Sequence, residues 1–426
     1  MRNSRGFVML LCSLVIACSV GCDSESGPDG TSYGPATALM IDAFRWRGAG
    51  GGTDEYIQIY NSDTLPHLVA ADSGTGYAVA ASDGVVRCTI PNDTVIPAHG
   101  HFLCVNTVAY SLGAYPAGSG VTATGDATYT TDILDNVGIA LFNNNTGGAN
   151  FNLANRLDAV GSTSEANTLY REGAGLPVLT AFSINYAWVR DTCGKGGSVT
   201  AMGGCPAGGL PMDSDDNGAD FYFVDTNGTS AGGGQRLGSP GPQNLSSPVV
   251  GLGAVAGSTL DACVADTAAP NRVRDFTSDP PNNSTFGTLD LRHTFTNNTG
   301  APITRLRFRV IDLSTFPAPS GTADLRPRTS GAIVVTVDGP TCGSGTSNVV
   351  LEGTTLEQPP SQPHGGGFHS TLSVGAITLG SPLPHGASVN VRFLMGIQQT
   401  GNFKLGVVIE TLPQGGAIFE ISGATG

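Results

Sequence analysis

Short alternating runs, each closed by glycine, proline or asparagine, recur along this chain. In Glu55 to Asn61, Ile57 and Ile59 alternate with Tyr56, Gln58 and Tyr60, the period of a strand whose two faces meet different surroundings. "VIPAHGHFLCVN" and "DNVGIALFN" are further apolar runs of strand length bounded by turn formers. No helical stripe is visible between Leu39 and Pro242. Further on, "TLDLRHTF" places Leu289, Leu291, His293 and Phe295 on one face, "TNNTGAP" turns, and "RLRFRVI" places Leu306, Phe308 and Val310 on one face, which predicts two antiparallel strands in direct succession. "SVNVRFLMGI" and "FKLGVVIETL" repeat the pattern around a turn at Gln399 to Asn402. Arg305, Arg307 and Arg309 share the opposite face, with Arg292 expected nearby. They read as a solvated stripe paired with acids such as Asp290, the rival being a stripe that grips an acidic glycan or phospholipid.

Composition agrees with strands. Gly (61) and Pro (26) are abundant while charged residues make up only 13%, which suits many turns and leaves little Glu and Lys for surface helices. The 426 residues suffice for two domains, each with its own core. Formal net charge is −14, and Lys195 and Lys404 are the only lysines. A nucleic-acid backbone needs clustered Lys and Arg, so that class of partner is excluded.

The opening "MRNSRGFVMLLCSLVIACSVGCDSESG" has two arginines, an apolar run too short to span a bilayer, then small residues and cysteine, the layout of a secretory signal. It also resembles a bacterial lipoprotein signal, in which a small residue precedes the lipid-bearing cysteine. "VIAC", ending at Cys18, has the better-placed aliphatic residue. The cysteine count favours Cys22: Cys88, Cys104, Cys193, Cys205, Cys263 and Cys342 follow as an even set that can pair completely in an oxidising compartment. Cys193 with Cys205 would close a glycine-rich loop, Cys88 with Cys104 would flank a hairpin around "IPAHG", and Cys263 would join Cys342. The polar segment 22–37 reads as a flexible tether, and 246–260, uncharged and built of small residues, as a linker between domains at 38–245 and 261–426.

"ALMIDAFRWRG…DEYIQIYN", "IPAHGHFLCVN", "DNVGIALFN…NRLDAVG", "REGAGLP", "YAWVRDTCG" and "DSDDNGADFYFV…LGSPGPQN" resemble, in that order, the lamin tail domain family. The resemblance covers about Ala38 to Asn244 and implies an immunoglobulin-like β-sandwich that serves as an attachment or interaction module. Ser111 to Thr130 is a long insert, and His99-Gly100-His101 stands where the family usually has small residues. The second domain matches no named family, and its alternation predicts another sandwich.

Chemistry-bearing motifs are sparse. "DSDDNG" opens like a calcium loop, with Asp213, Asp215 and Asn217 at positions one, three and five and Gly218 at six, but Val224 stands where a bidentate Glu is required. Asp220 could supply a ligand in another geometry, making calcium the one cofactor suggested; equally, Asp and Asn cap turns with no metal at all. His99 and His101, and His364 and His369, are paired in sequence without the Cys or carboxylate cluster a zinc site needs. No G-x-S-x-G, H-E-x-x-H or phosphate loop occurs. The chain therefore reads as a non-catalytic, lipid-anchored protein of a bacterial cell envelope, facing periplasm or exterior, whose surfaces bind a protein or cell-surface glycan. The alternative is a secreted hydrolase or metal-dependent enzyme with its site on the loops.

Overall fold

A computed structural model of the chain describes residues 25–26, 32–115, 122–180, 184–192, 209–228, 237–251, 254–315, 323–339, 341–357, 366–413 and 418–425. The leader with Cys18 and Cys22, the Cys193 and Cys205 pair, and His364 lie outside these residues. The protein is all-β: among the described residues, helix is confined to the turn Asn217–Asp220 and to short 3-10 turns.

Four sheets stack as two sandwiches. The first pairs a six-stranded sheet (order Ala127–Tyr129, His101–Asn106, Tyr56–Asn61, Leu39–Arg45, Tyr186–Arg190, Phe221–Asp225) with a four-stranded one (Arg156–Val160, Ile139–Phe142, Gly76–Ala81, Val86–Pro91). Period-two alternation sends Ile57, Ile59, Phe102, Trp188 and Phe221 into the space between them, against Val79, Ile90 and Leu141. In the second sandwich, Arg305–Leu313 lies beside Asn402–Leu412 in one sheet, and Thr288–Asn297 beside Ser388–Gln399 in the other. Phe295 and Phe393 from one sheet meet Phe308 from the other, with ring centroids 4.6 and 4.9 Å apart.

Both expected hairpins of the second half are therefore corrected. Thr288–Asn297 and Arg305–Leu313 belong to different sheets, as do Ser388–Gln399 and Asn402–Leu412. Each turn crosses from one layer to the other, because both strands carry their apolar residues toward the same core. Cys88 and Cys104 are bonded, but the bond ties the four-stranded sheet to the six-stranded one through the core rather than bracing a hairpin. Cys263 and Cys342 are bonded as expected. The segment 246–260 is no plain linker: Val249–Val250 pairs with Asn402–Leu412, and Val255–Thr259 with Thr288–Asn297, so it supplies one edge strand to each sheet of the second sandwich.

The outer face of the six-stranded sheet is covered. Tyr56, Leu103, Val189 and Tyr222 join the same apolar cluster as the second sandwich's core, and Tyr222 meets Phe368 at 6.1 Å. The strap "LGSPGPQN" (237–244) runs between the two layers. Gly238 bridges to Phe368, where a Cβ would lie 2.0 Å from the Phe368 carbonyl oxygen, so only glycine fits. Tyr56 donates to the Pro240 carbonyl at 2.8 Å, and Gln243 donates its backbone N–H to Gln58 Oε1 at 2.6 Å.

Candidate functional site

Where the two sandwiches meet, a cavity of about 50 Å³ is lined by Asp42, Tyr60 and His101 from the first and by Arg309, His369 and Glu410 from the second. Asp42 owes its position to a β-bulge between Ile41 and Ala43. Ile41 and Phe44 face the sandwich core while Ala43 faces outward, and the extra residue aims a carboxylate at the interface, as bulges beside sites commonly do. Gln58 Nε2 donates to Asp42 Oδ2 at 3.0 Å, and His101 Nε2 lies 3.4 Å from the same oxygen. Asp42 Oδ1 and His101 Nδ1 have no hydrogen-bond partner although both residues are buried. Buried polar atoms left so carry a desolvation cost; one or two waters, or a ligand of that size carrying a donor, would relieve it.

The remaining groups are locked. Tyr60 shares a 3.0 Å hydrogen bond with His99 Nδ1, and burial pushes its phenol well above the usual range. His99 and His369 both adopt left-handed backbone, with φ of 52° and 61°, a conformation that non-glycine residues keep only where surroundings enforce it. His369 Nδ1 faces the Ser239 carbonyl at 3.2 Å. A carbonyl only accepts, so Nδ1 carries the hydrogen; burial, reinforced by Arg309, holds the ring neutral by pushing its pKa far down, which leaves the lone pair on Nε2.

Arg307 and Arg309 overturn the reading of a solvated stripe. They are 1% and 6% exposed, and both bond Glu410, Arg309 Nε at 2.7 Å from Oε1 and Arg307 Nε to Oε2. Their outer lobes reach further backbone, Arg307 at the Pro248 carbonyl just beyond the strap and Arg309 at the Gly241 carbonyl within it. The face that alternation exposes is the one the first sandwich covers. Arg292 sits in the other sheet and pairs there with Asp290.

The five acids and amides of "DSDDNGADF", among them the calcium candidates Asp213, Asp215, Asn217 and Asp220, are not brought around one point. Asp216 caps the turn Asn217–Asp220 through Gly218 N. Asn217 accepts from Gly161 N and Glu172 N, both at 3.0 Å, and donates to the Ala159 carbonyl. Asp220 accepts from Ser214 Oγ, Ser214 N and Arg190 Nη1 at 2.6, 2.9 and 3.2 Å. Asp215 sits at φ 56° and is exposed. Only Asp213 joins other carboxylates, those of Asp158 and Glu172, residues that sequence spacing does not connect. A second acid group, Asp261 and Asp338 with Cys263, is spent: Cys263 is in a disulfide and Asp261 accepts from Cys263 N and Asp338 N, each at 2.8 Å.

One further buried acid stands out. Glu55 is fully buried, accepting from Ile133 N at 2.6 Å and Asn106 Nδ2 at 2.9 Å. Burial, with Asp132 adding to it, pushes its pKa up to about 8 against those bonds. A raised folded value means the native state holds the proton: the contribution is full below the unfolded value near 4.5 and is lost as pH rises through about 8. Between those limits Glu55 should lower stability by about 1.4 kcal/mol per pH unit. Urea midpoints across that range should show a flatter slope for Glu55→Gln than for the parent; parallel slopes would refute it.

No family model, no curated protein and no solved structure matches the chain.

Proposed function

We propose that this is a lipid-anchored bacterial cell-envelope protein that acts as a non-catalytic interaction, attachment or scaffolding module, its first sandwich of lamin-tail type. What supports the reading is an exposed aromatic surface on the second sandwich. Phe276 is 72% exposed and Phe286 48%, and Arg274 joins them, its guanidinium 4.3 Å from the Phe276 ring and donating to the Phe286 carbonyl. The Phe276 ring held beside a fixed cation suits stacking on a sugar face or an aromatic-rich peptide, and two exposed large apolar residues linked through one arginine mark a contact surface. At the sandwich junction, by contrast, Tyr56, Gln58, Arg307 and Arg309 are engaged in bonds between the layers and the backbone that runs between them.

The test is retention of the purified protein on insoluble envelope material. Phe276→Ala/Phe286→Ala should weaken retention roughly tenfold or more, the effect of losing one central anchor, with unchanged thermal stability. Equal retention of parent and variant would sink the reading.

A further inference from the structure

Three carboxylates converge from separate segments beside Arg190. Asp158 comes from Arg156–Val160, Glu172 from the turn "REGAG", and Asp213 from "DSDDNG", and one oxygen of each lies within 4.8 Å of the others, about twice the calcium–oxygen distance. Asp158 is 1% and Glu172 5% exposed, whereas the Asp213 side chain, at 31%, opens the group to solvent. The cations bonded here are Arg190, which holds Asp158 through Nη2 at 2.8 and 2.9 Å and reaches Asp213 and Asp220, and Arg156, 3.0 Å from Glu172 Oε1. Two guanidiniums thus face four carboxyl groups in a nearly dry place. Glu172 Oε2 is buried there without a hydrogen-bond donor, a second and independent sign that something positive is missing.

We propose that Asp158, Glu172 and Asp213 form a binding site for a hard divalent cation of the calcium type, with water completing the coordination on the Asp213 side. Every donor is a carboxylate oxygen and none is nitrogen or sulfur, which favours calcium over zinc or copper. Calcium's tolerance of irregular geometry and of six to eight ligands suits oxygens drawn from three loops better than magnesium's strict octahedron. Each carboxylate oxygen has two lone pairs, so Asp158 and Asp213 can keep Arg190 while bridging to the ion. The site differs from the calcium loop suggested by sequence, sharing only Asp213 with it. Its ion would tie the strand Arg156–Val160 to the turns before and after Tyr186–Arg190, next to the junction of the sandwiches that Arg190 also lines.

The experiment is thermal unfolding of the full chain near neutral pH in chelator, then in millimolar calcium or magnesium. Calcium should raise the midpoint by roughly 5 °C, the shift expected when ligand is well above its dissociation constant, and magnesium by less. Glu172→Gln should abolish the shift, and Asp213→Asn, altered at the exposed rim, should weaken it even if the first variant fails to fold. Asp215→Ala should keep it. A parent midpoint unmoved by calcium would overturn the proposal, as it would if a proton shared between Glu172 and Asp158 filled the gap instead. So would a shift that survives Asp213→Asn but is lost with Asp215→Ala.

Discussion

Glu410→Ala is expected to destabilise the protein by about 3–5 kcal/mol, the usual cost of stripping one partner from a buried ion pair. Glu410 is 4% exposed and is the shared acceptor of Arg307 and Arg309. The next acid, Glu357, is 4.0 Å from Arg307 Nη1 and already accepts from Thr371 and Ser373. Two buried guanidiniums would therefore share one distant carboxylate. Burial alone would push the Glu410 carboxyl up, but the two arginines outweigh it and hold it below the usual range. A depressed folded value means that stability from this cluster is present above the unfolded value and drains away as pH falls through the folded one. Urea unfolding near neutral pH checks the prediction, with a triple replacement by leucine at 307, 309 and 410 as control. The triple variant should sit much closer to the parent, since no charge is then left buried alone. A single variant within about 0.5 kcal/mol of the parent, the range of ordinary surface substitutions, would mean that the cluster does not support the junction.

Arg190→Met should be comparably costly, again about 3–5 kcal/mol. This side chain is 1% exposed and makes five kinds of contact: Nε to the Ile41 carbonyl, Nη1 to the Met212 carbonyl, Asp213 and Asp220, and Nη2 to both oxygens of Asp158. Its removal leaves Asp158 and Asp220, 1% and 0% exposed, without their cation. Asp158 is already pushed up by burial against the pull of Arg190, so the variant should take up protons on folding and be stabilised by acidification. Arg190→Lys should recover less than half of the loss, because one ammonium cannot meet a fork-shaped set of acceptors on three sides. Full recovery by lysine would show that charge alone matters at this point.

Local pattern carried much of this fold. Ile57 and Ile59 were legible as core, and Leu306, Phe308 and Val310 as one buried face, because a strand's period of two is written directly in residue order. The opposite faces were not legible. Tyr56, Gln58 and Tyr60, like Arg307 and Arg309, look solvent-facing by polarity, and they are buried because another layer lands on them. Which strands pair was equally hidden: a short turn such as "TNNTGAP" can close a hairpin or carry the chain across a sandwich, and its residues do not say which. The cavity shows the same division. His101 and His369 stood in the sequence as members of histidine pairs without a carboxylate cluster, and Asp42, in an apolar strand, becomes the acid beside His101 only through a bulge.

The all-β class, the faces that form the sandwich cores and the lack of clustered Lys and Arg follow from residue order, since each depends on composition or on neighbours a few residues apart. Tertiary structure alone decided which polar faces are buried, which sheets Cys88 and Cys104 join, and that Asp213 meets Asp158 and Glu172 instead of completing its own loop. Those outcomes rest on contacts between segments tens to hundreds of residues apart, and a charge pattern that would be solvated on one sheet becomes an ionic brace when a second sheet excludes water from it.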